Sequence, residues 1–187
     1  IPSVVYGFFA FIYIGPLVVE FGEYAFANGW IDQPPNVLNP INGAIVVGIM
    51  ILPLIASMSE DALRAVPNEL REGSLALGAT KIETTMKVMI QASLSGIIAS
   101  IILALSRAVG ETMAVTLAVG TVAVYTSNMF VPAQTMTAYI AQRVGGDLPF
   151  GEIGYLTIFA VGLYLFAITL CLNLLGNKVL SAYREAY

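Results

Sequence analysis

Four stretches of this chain approach the length of a bilayer crossing without a charged side chain: Ile1–Val19, Asn39–Ser59, Val88–Ser106 and Ile153–Asn177. A helix needs about 20 predominantly apolar residues to traverse the hydrocarbon core. Inside lipid only helices and closed barrels satisfy their own backbone groups. Hydrophobic residues make up 58% of the 187 and charged ones 11%, against about a quarter charged in soluble domains. The mean hydropathy is +0.83. The pattern predicts an all-α, polytopic transmembrane helical bundle with membrane lipid as its solvent. Pro2, Pro16, Pro40 and Pro53 are compatible with it, because neighbouring helices in lipid satisfy the carbonyls that proline frees.

Composition also excludes chemistry. Histidine is absent, which rules out His-based triads and His-containing zinc or haem sites. Cys171 is the single cysteine, so no disulfide forms within the chain. No Walker-type Gly-Lys-Ser/Thr loop occurs, so ATP is not hydrolysed by that mechanism here. No cofactor, metal site or nucleic-acid partner is expected.

The basic residues orient the spans. Arg64, Arg71, Lys81 and Lys87 lie between the second and third, while Lys178 and Arg184 follow the last. The segment Glu20–Asn39 holds Glu20, Glu23 and Asp32 without Lys or Arg. After Glu111 only Arg143 is basic before the last span, against Asp147 and Glu152. Six of the eight basic residues thus fall on one side, which the positive-inside rule makes cytoplasmic. The chain then enters near the cytoplasm, Glu20–Asn39 is external, and the C-terminus returns inside. Thr112–Gln142 is again uncharged but carries Pro132 and many hydroxyls. Two crossings or none would keep the parity. The preferred reading is a pause near Gly110, a half-helix over Thr112–Val124, a short amphipathic external or re-entrant helix over Met129–Val144, and a turn at Gly145–Gly146.

Between the second and third spans the residues spell a helix-turn-helix. Pro67 suits a first helical position, and Glu69 and Glu72 fall where the helix dipole favours acids. Gly78 can end that helix in the left-handed conformation, and Thr80 with Glu83 reads as a capping box for the next. Leu70, Leu75, Leu77, Ile82 and Met86 give the pair an apolar face. Physics alone leaves open an ordinary interfacial connector.

Glu72-Gly73-Ser74, three residues, then Gly78 resembles the EAA loop of ABC importer permeases, the segment that docks on the ATPase. The downstream Ile-x-Leu-Pro of that motif aligns with Val88-Met89-Ile90-Gln91; Gly73 and Ser74 replace alanines, and Gln91 the proline. Ile1–Gly7, Leu63–Pro67, Ala76–Thr80 and Arg107–Val115 together resemble the PstC family of phosphate permeases, with the PstA permeases close to it. The resemblance implies a type I importer permease fold: one transmembrane domain over 1–187, with a coupling loop at 67–91 within it. It implies further N-terminal helices before Ile1. It also implies docking of an ATPase through Arg71, Glu72, Gly73, Ser74, Ala76, Leu77, Gly78, Ala79 and Thr80. The partners implied are a PstA-like second permease subunit, a cytoplasmic ATPase dimer and an external phosphate-binding protein.

Arg107 and Glu111 are the chemical centre of the reading. On a continuous helix they share a face at i, i+4 and can pair. Charges within lipid default to function and face a protein interior or watery cavity. Arginine offers phosphate a planar fork of donors. A half-helix beginning after Gly110 would add the N–H groups of Glu111, Thr112 and Met113 as an anion-attracting end. Arg107, Glu111 and Thr112 are therefore the expected substrate path; the bland alternative is a pair that glues helices together. Ala92, Gly96, Ser100, Ala104, Ala108 and Thr112 recur at every fourth position as a ridge on which another helix can pack closely, with Gly96, Ser100 and Ala104 at its heart.

Ser3, Tyr6, Thr116 and Thr121 are weaker candidates for a pore lining, because such hydroxyls more often bond their own helix. Met113 and Met136 read as packing, and Tyr24 and Trp30 as interfacial anchors. A permease for another anion or small solute is the nearest alternative function. An intramembrane enzyme using Glu111 lacks a second acid within the spans, and a self-contained channel would have no use for a docking knob.

Overall fold

The computed structural model describes residues 2–146 and 151–182, the last four by backbone alone. Ile1, Asp147 and Arg184, used in the sequence reading, lie outside them. Every regular element among the described residues is helical. In chain order these are α1 (Ser3–Ala27), α2 (Pro40–Arg64), α3 (Asn68–Ala76), α4 (Lys81–Ala92), α5 (Leu94–Val109), α6 (Met113–Val119), α7 (Met136–Val144) and α8 (Ile153–Ala182).

Helices α1, α2 and α8 are each long and apolar enough to cross a membrane, whereas α4 and α5 pass that test only together, as a pair bent by 64° that is either a broken span or a re-entrant loop. Three of the four uncharged runs therefore fold as single long helices, while Val88–Ser106 is broken at Ser93. Two boundaries also move, α1 continuing past Val19, through Glu20 and Glu23, to Ala27, and α2 past Ser59 to Arg64. The last turns of α1 are held by packing rather than ended by charge, since Gly22 lies against Pro35 and Phe130. Pro16 cannot donate to the carbonyl four residues back and crowds it. The helix answers with a π-turn over Ala10–Ile14, in which the Gly15 N–H bonds the Ala10 carbonyl. The bend between α4 and α5 needs no proline. It falls at Ser93, whose hydroxyl donates to the carbonyls of Met89 (2.8 Å) and Ile90 (3.3 Å). Such back-bonding tilts a helix by competing for its carbonyls.

The chain divides into two compact units. One takes residues up to Met50 and Ala108–Ile168; the other takes Ile51–Arg107 and residues from Thr169 on. The core of the first is Ala10, Val46 and Ala118, fully buried, with Tyr6 and Val47 packed on it. Small residues make that closeness possible: Gly7 abuts Ala114 and Leu117, and Gly43 abuts Val119. Asn39 caps α2 by accepting the Asn42 N–H (2.8 Å), with Pro40 at the first helical position. The Asn39 N–H (3.1 Å) and the Asn42 side-chain amide (3.5 Å) both donate to the Ala118 carbonyl near the end of α6.

In the second unit the small-residue ridge of α5 meets α2. The Ser100 and Ser59 hydroxyls lie 2.9 Å apart, Ala104 is fully buried, and Gly96 rests on Ala62. A Cβ added at Gly96 would stand 2.5 Å from the Ala62 Cβ. Gly96→Ala is therefore expected to cost about 1–3 kcal/mol by overpacking. It should be read as a lower midpoint in thermal inactivation of the detergent-solubilised protein, with Ala62→Gly in the same chain returning most of the loss.

The apolar window of α8 buries nothing in the chain by itself, with Leu156, Phe159, Leu163, Tyr164 and Phe166 all exposed. In water that surface would be an unusually large apolar patch. Against acyl chains it costs nothing.

Candidate functional site

The loop between α2 and α4 is built by local rules. Pro67 stands at the cap of α3, one position earlier than the sequence suggests. At the other end the chain turns left-handed at Gly78 (φ 89°), with the Gly78 N–H on Leu75 (3.0 Å) and the Ala79 N–H on Ser74 (3.2 Å). That double bond pattern satisfies carbonyls that α3 would otherwise leave open. Thr80 then starts α4 with a complete capping box. Its hydroxyl accepts the Glu83 N–H (3.3 Å), and the Glu83 carboxylate accepts the Thr80 N–H (2.9 Å). The Ser74 hydroxyl, 3.0 Å from that of buried Thr84, ties the two helices together.

What this fixed corner presents is apolar. Leu77 is 91% exposed, Ile82 77% and Met86 61%, and α3 buries no residue of its own. Arg71, Glu72, Gly73, Ala76 and Thr80 are exposed as well, with Ser74 and Ala79 half-buried. Space beside Gly73 is open to 4 Å. Thr80→Ala is expected to cost about 1 kcal/mol through the lost cap, seen as faster amide exchange over Lys81–Thr84 with the spans unaffected.

The second region is the break after α5. The helix stops at Val109, and the Glu111 N–H bonds Ala108 (3.1 Å) before α6 begins at Met113. The shared helical face expected of Arg107 and Glu111 is thus lost, because no continuous helix joins them. Arg107 sits exposed in the last turn of α5, where the helix dipole favours a cation. The Glu111 carboxylate instead accepts the Ala114 N–H (3.3 Å). The start of α6 is therefore answered in part by its own acid at Ala114, and of the three N–H groups expected to attract an anion that of Glu111 is taken by Ala108. Among the described residues the guanidinium–carboxylate pair is Arg64–Glu60, one turn apart and exposed. Thr112 is half-buried, its hydroxyl on the Gly110 carbonyl (3.3 Å), and the Thr116 hydroxyl bonds its own helix at Thr112 (2.6 Å). Two further boundaries move: α6 ends at Val119 rather than Val124, and α7 starts at Met136 rather than Met129. Thr135 caps α7 through the Ala138 N–H, which sets that start.

Over residues 1–184 the chain matches the family described as binding-protein-dependent transport system inner membrane component. It belongs to that family. The fold is accordingly that of the type I importer permeases, and the protein is a multi-pass membrane component of a transport system. It is 32% identical to a phosphate transport system permease protein PstC of Mesorhizobium japonicum, over 96% of this chain and 57% of the relative. It is 34% identical to a probable ABC transporter permease protein, YqgH, of Bacillus subtilis, over 99% of this chain and 56% of the relative. A probable PstC of Methanocaldococcus jannaschii is 32% identical, over 99% of this chain and 60% of the relative. The chain spans a little over half the length of these relatives. No solved structure matches it.

Several residues around the break escape a reading of the sequence. Buried Thr137 donates its hydroxyl to the Glu111 carbonyl (2.9 Å) across 26 residues of chain. Asn42 reaches Ala118 across 76. Neighbouring Asn39, before Pro40, does carry a local signal, as a helix cap.

Proposed function

We propose that the chain is the permease subunit of an ATP-driven phosphate importer, forming half of the translocation path and passing the motion of partner ATPases to it. The observation that carries this reading is similarity over nearly the whole chain to permeases named for phosphate transport. The apolar corner at Leu77, Ile82 and Met86 supports it, because such a patch on the polar side of a membrane protein calls for a partner. In this reading the coupling loop (67–91) and the C-terminus face the cytoplasm, in keeping with the basic residues there. The ATPase dimer docks on the loop, a PstA-like subunit completes the path, and an external binding protein delivers phosphate. Arg107, Glu111 and Thr112 line the path. Hydrolysis belongs to the ATPases, and this chain makes and breaks no bond.

The test is uptake of radiolabelled inorganic phosphate by cells whose own phosphate permease has been replaced by this one together with its partners. ATP-dependent uptake that unlabelled phosphate competes away, and sulfate does not, is the expected result. Uptake of a different solute with phosphate ignored would move the assignment to another importer of the same family. That alternative fits the broader name of the Bacillus relative.

A further inference from the structure

We infer that Thr137 is a positioning residue for Glu111, and that α7 is the element holding the break between α5 and α6 in place. The inference rests on the proposed role of Glu111 in the translocation path. At the break the chain leaves one helix at Val109 and enters the next at Met113. Backbone groups in such a gap lack the partners that a continuous helix supplies. The Glu111 carbonyl finds its partner outside the local chain, in the Thr137 hydroxyl at 2.9 Å.

The donor is itself held. Thr137 is 8% exposed and lies in the first turn of α7, with its hydroxyl 3.2 Å from that of Thr135. Thr135 in turn fixes the start of α7 by accepting the Ala138 N–H (3.2 Å). One turn along, the Tyr139 hydroxyl lies 2.8 Å from that of Thr157 in α8, which donates to the Gly154 carbonyl (2.9 Å). Two separate hydroxyl contacts therefore hold α7, one from Tyr139 to α8 and one from Thr137 to the main chain of Glu111. The bond falls on the carbonyl and leaves the carboxylate, which is on Ala114, untouched. Thr137 thus sets where Glu111 stands without competing for its charge. Any displacement of α7 moves the acid with it.

The experiment measures phosphate uptake by the assembled transporter in vesicles, with recovery of the complex determined for every variant. Thr137→Val keeps the shape and removes the donor, Thr137→Ser keeps the donor, and Glu111→Gln and the Thr137→Val/Glu111→Gln pair complete a cycle. We expect about a tenfold loss for Thr137→Val, the scale of a typical coupling between sites, and recovery to within about twofold for Thr137→Ser. The double variant should fall no lower than Glu111→Gln alone, because residues acting through one another are non-additive. Additive losses, or a Thr137→Val transporter within about twofold of the parent, overturn the inference. If Glu111→Gln transports normally, the path role of Glu111 falls and takes the inference with it. If Glu111→Gln is inactive while Thr137→Val is not, only the inference fails. Tyr139→Phe loosens α7 from Thr157 without touching the break, and stays informative if Thr137→Val does not assemble. It should lower uptake several-fold, and unchanged uptake removes the role given to α7.

Discussion

If the chain is a phosphate permease, replacing Arg107 by alanine is expected to lower phosphate uptake by about 10- to 100-fold, with the assembled complex recovered in normal amount. A hydrogen bond to a charged group is worth about 1.5–3 kcal/mol, and a guanidinium that meets an anion on its way through the membrane loses that much on truncation. The fold gives little reason for collateral damage. Arg107 is exposed on the last turn of α5, one turn beyond exposed Leu103, while the packing face of that helix runs through buried Ser100 and Ala104. Arg107→Lys should retain part of the rate, because an ammonium keeps the charge but loses the two-pronged geometry suited to phosphate oxygens. Vesicle uptake beside quantitation of the co-purified subunits separates the outcomes. Lost uptake with intact assembly places the guanidinium on the path, and lost assembly makes it an inter-subunit contact. Unaltered uptake removes it from the mechanism.

What the sequence discloses about this molecule follows the range over which each feature is determined. The spans are legible because lipid demands long runs with few charges, a requirement that each run meets by its own composition. The corner at Gly78 and Thr80 is legible because a left-handed glycine and a capping box are settled within a few residues. The bend at Ser93 is harder, since a serine in an apolar helix more often leaves it straight and Gln91 stands where the importer motif has proline. The break at Gly110–Thr112 is legible as an event but not in its consequences. A continuous helix would have set Arg107 and Glu111 on one face, whereas the interruption turns the acid to the Ala114 N–H. The bonds from Thr137 to Glu111 and from Asn42 to Ala118 span 26 and 76 residues. No local pattern of residues encodes such contacts. They arise from how α2, α6 and α7 come together, which is where the positioning of Glu111 is decided.

Leu77→Asp is expected to release the ATPase from a chain that still inserts and folds. The side chain is 91% exposed, so it contributes almost nothing to the stability of the chain by itself. In a complex it would be covered together with Ile82 and Met86, and burying a leucine is worth about 1.5–3 kcal/mol. A carboxylate at that point forfeits the gain and adds its own desolvation. A loss of at least 2 kcal/mol, the scale of an interface hot spot, weakens association by about 30-fold or more. The sign of the new charge supplies the control. Leu77 is the C-terminal cap of α3, where an aspartate opposes the helix dipole and a lysine complements it. If Leu77→Asp acted by fraying α3, Leu77→Lys would keep its partner. If the apolar contact is what matters, both substitutions shed the ATPase on co-purification, and Leu77→Met holds it. Full ATPase recovery with both charged variants would show that docking occurs elsewhere on the chain, and the corner would then be an ordinary surface connector between α2 and α5.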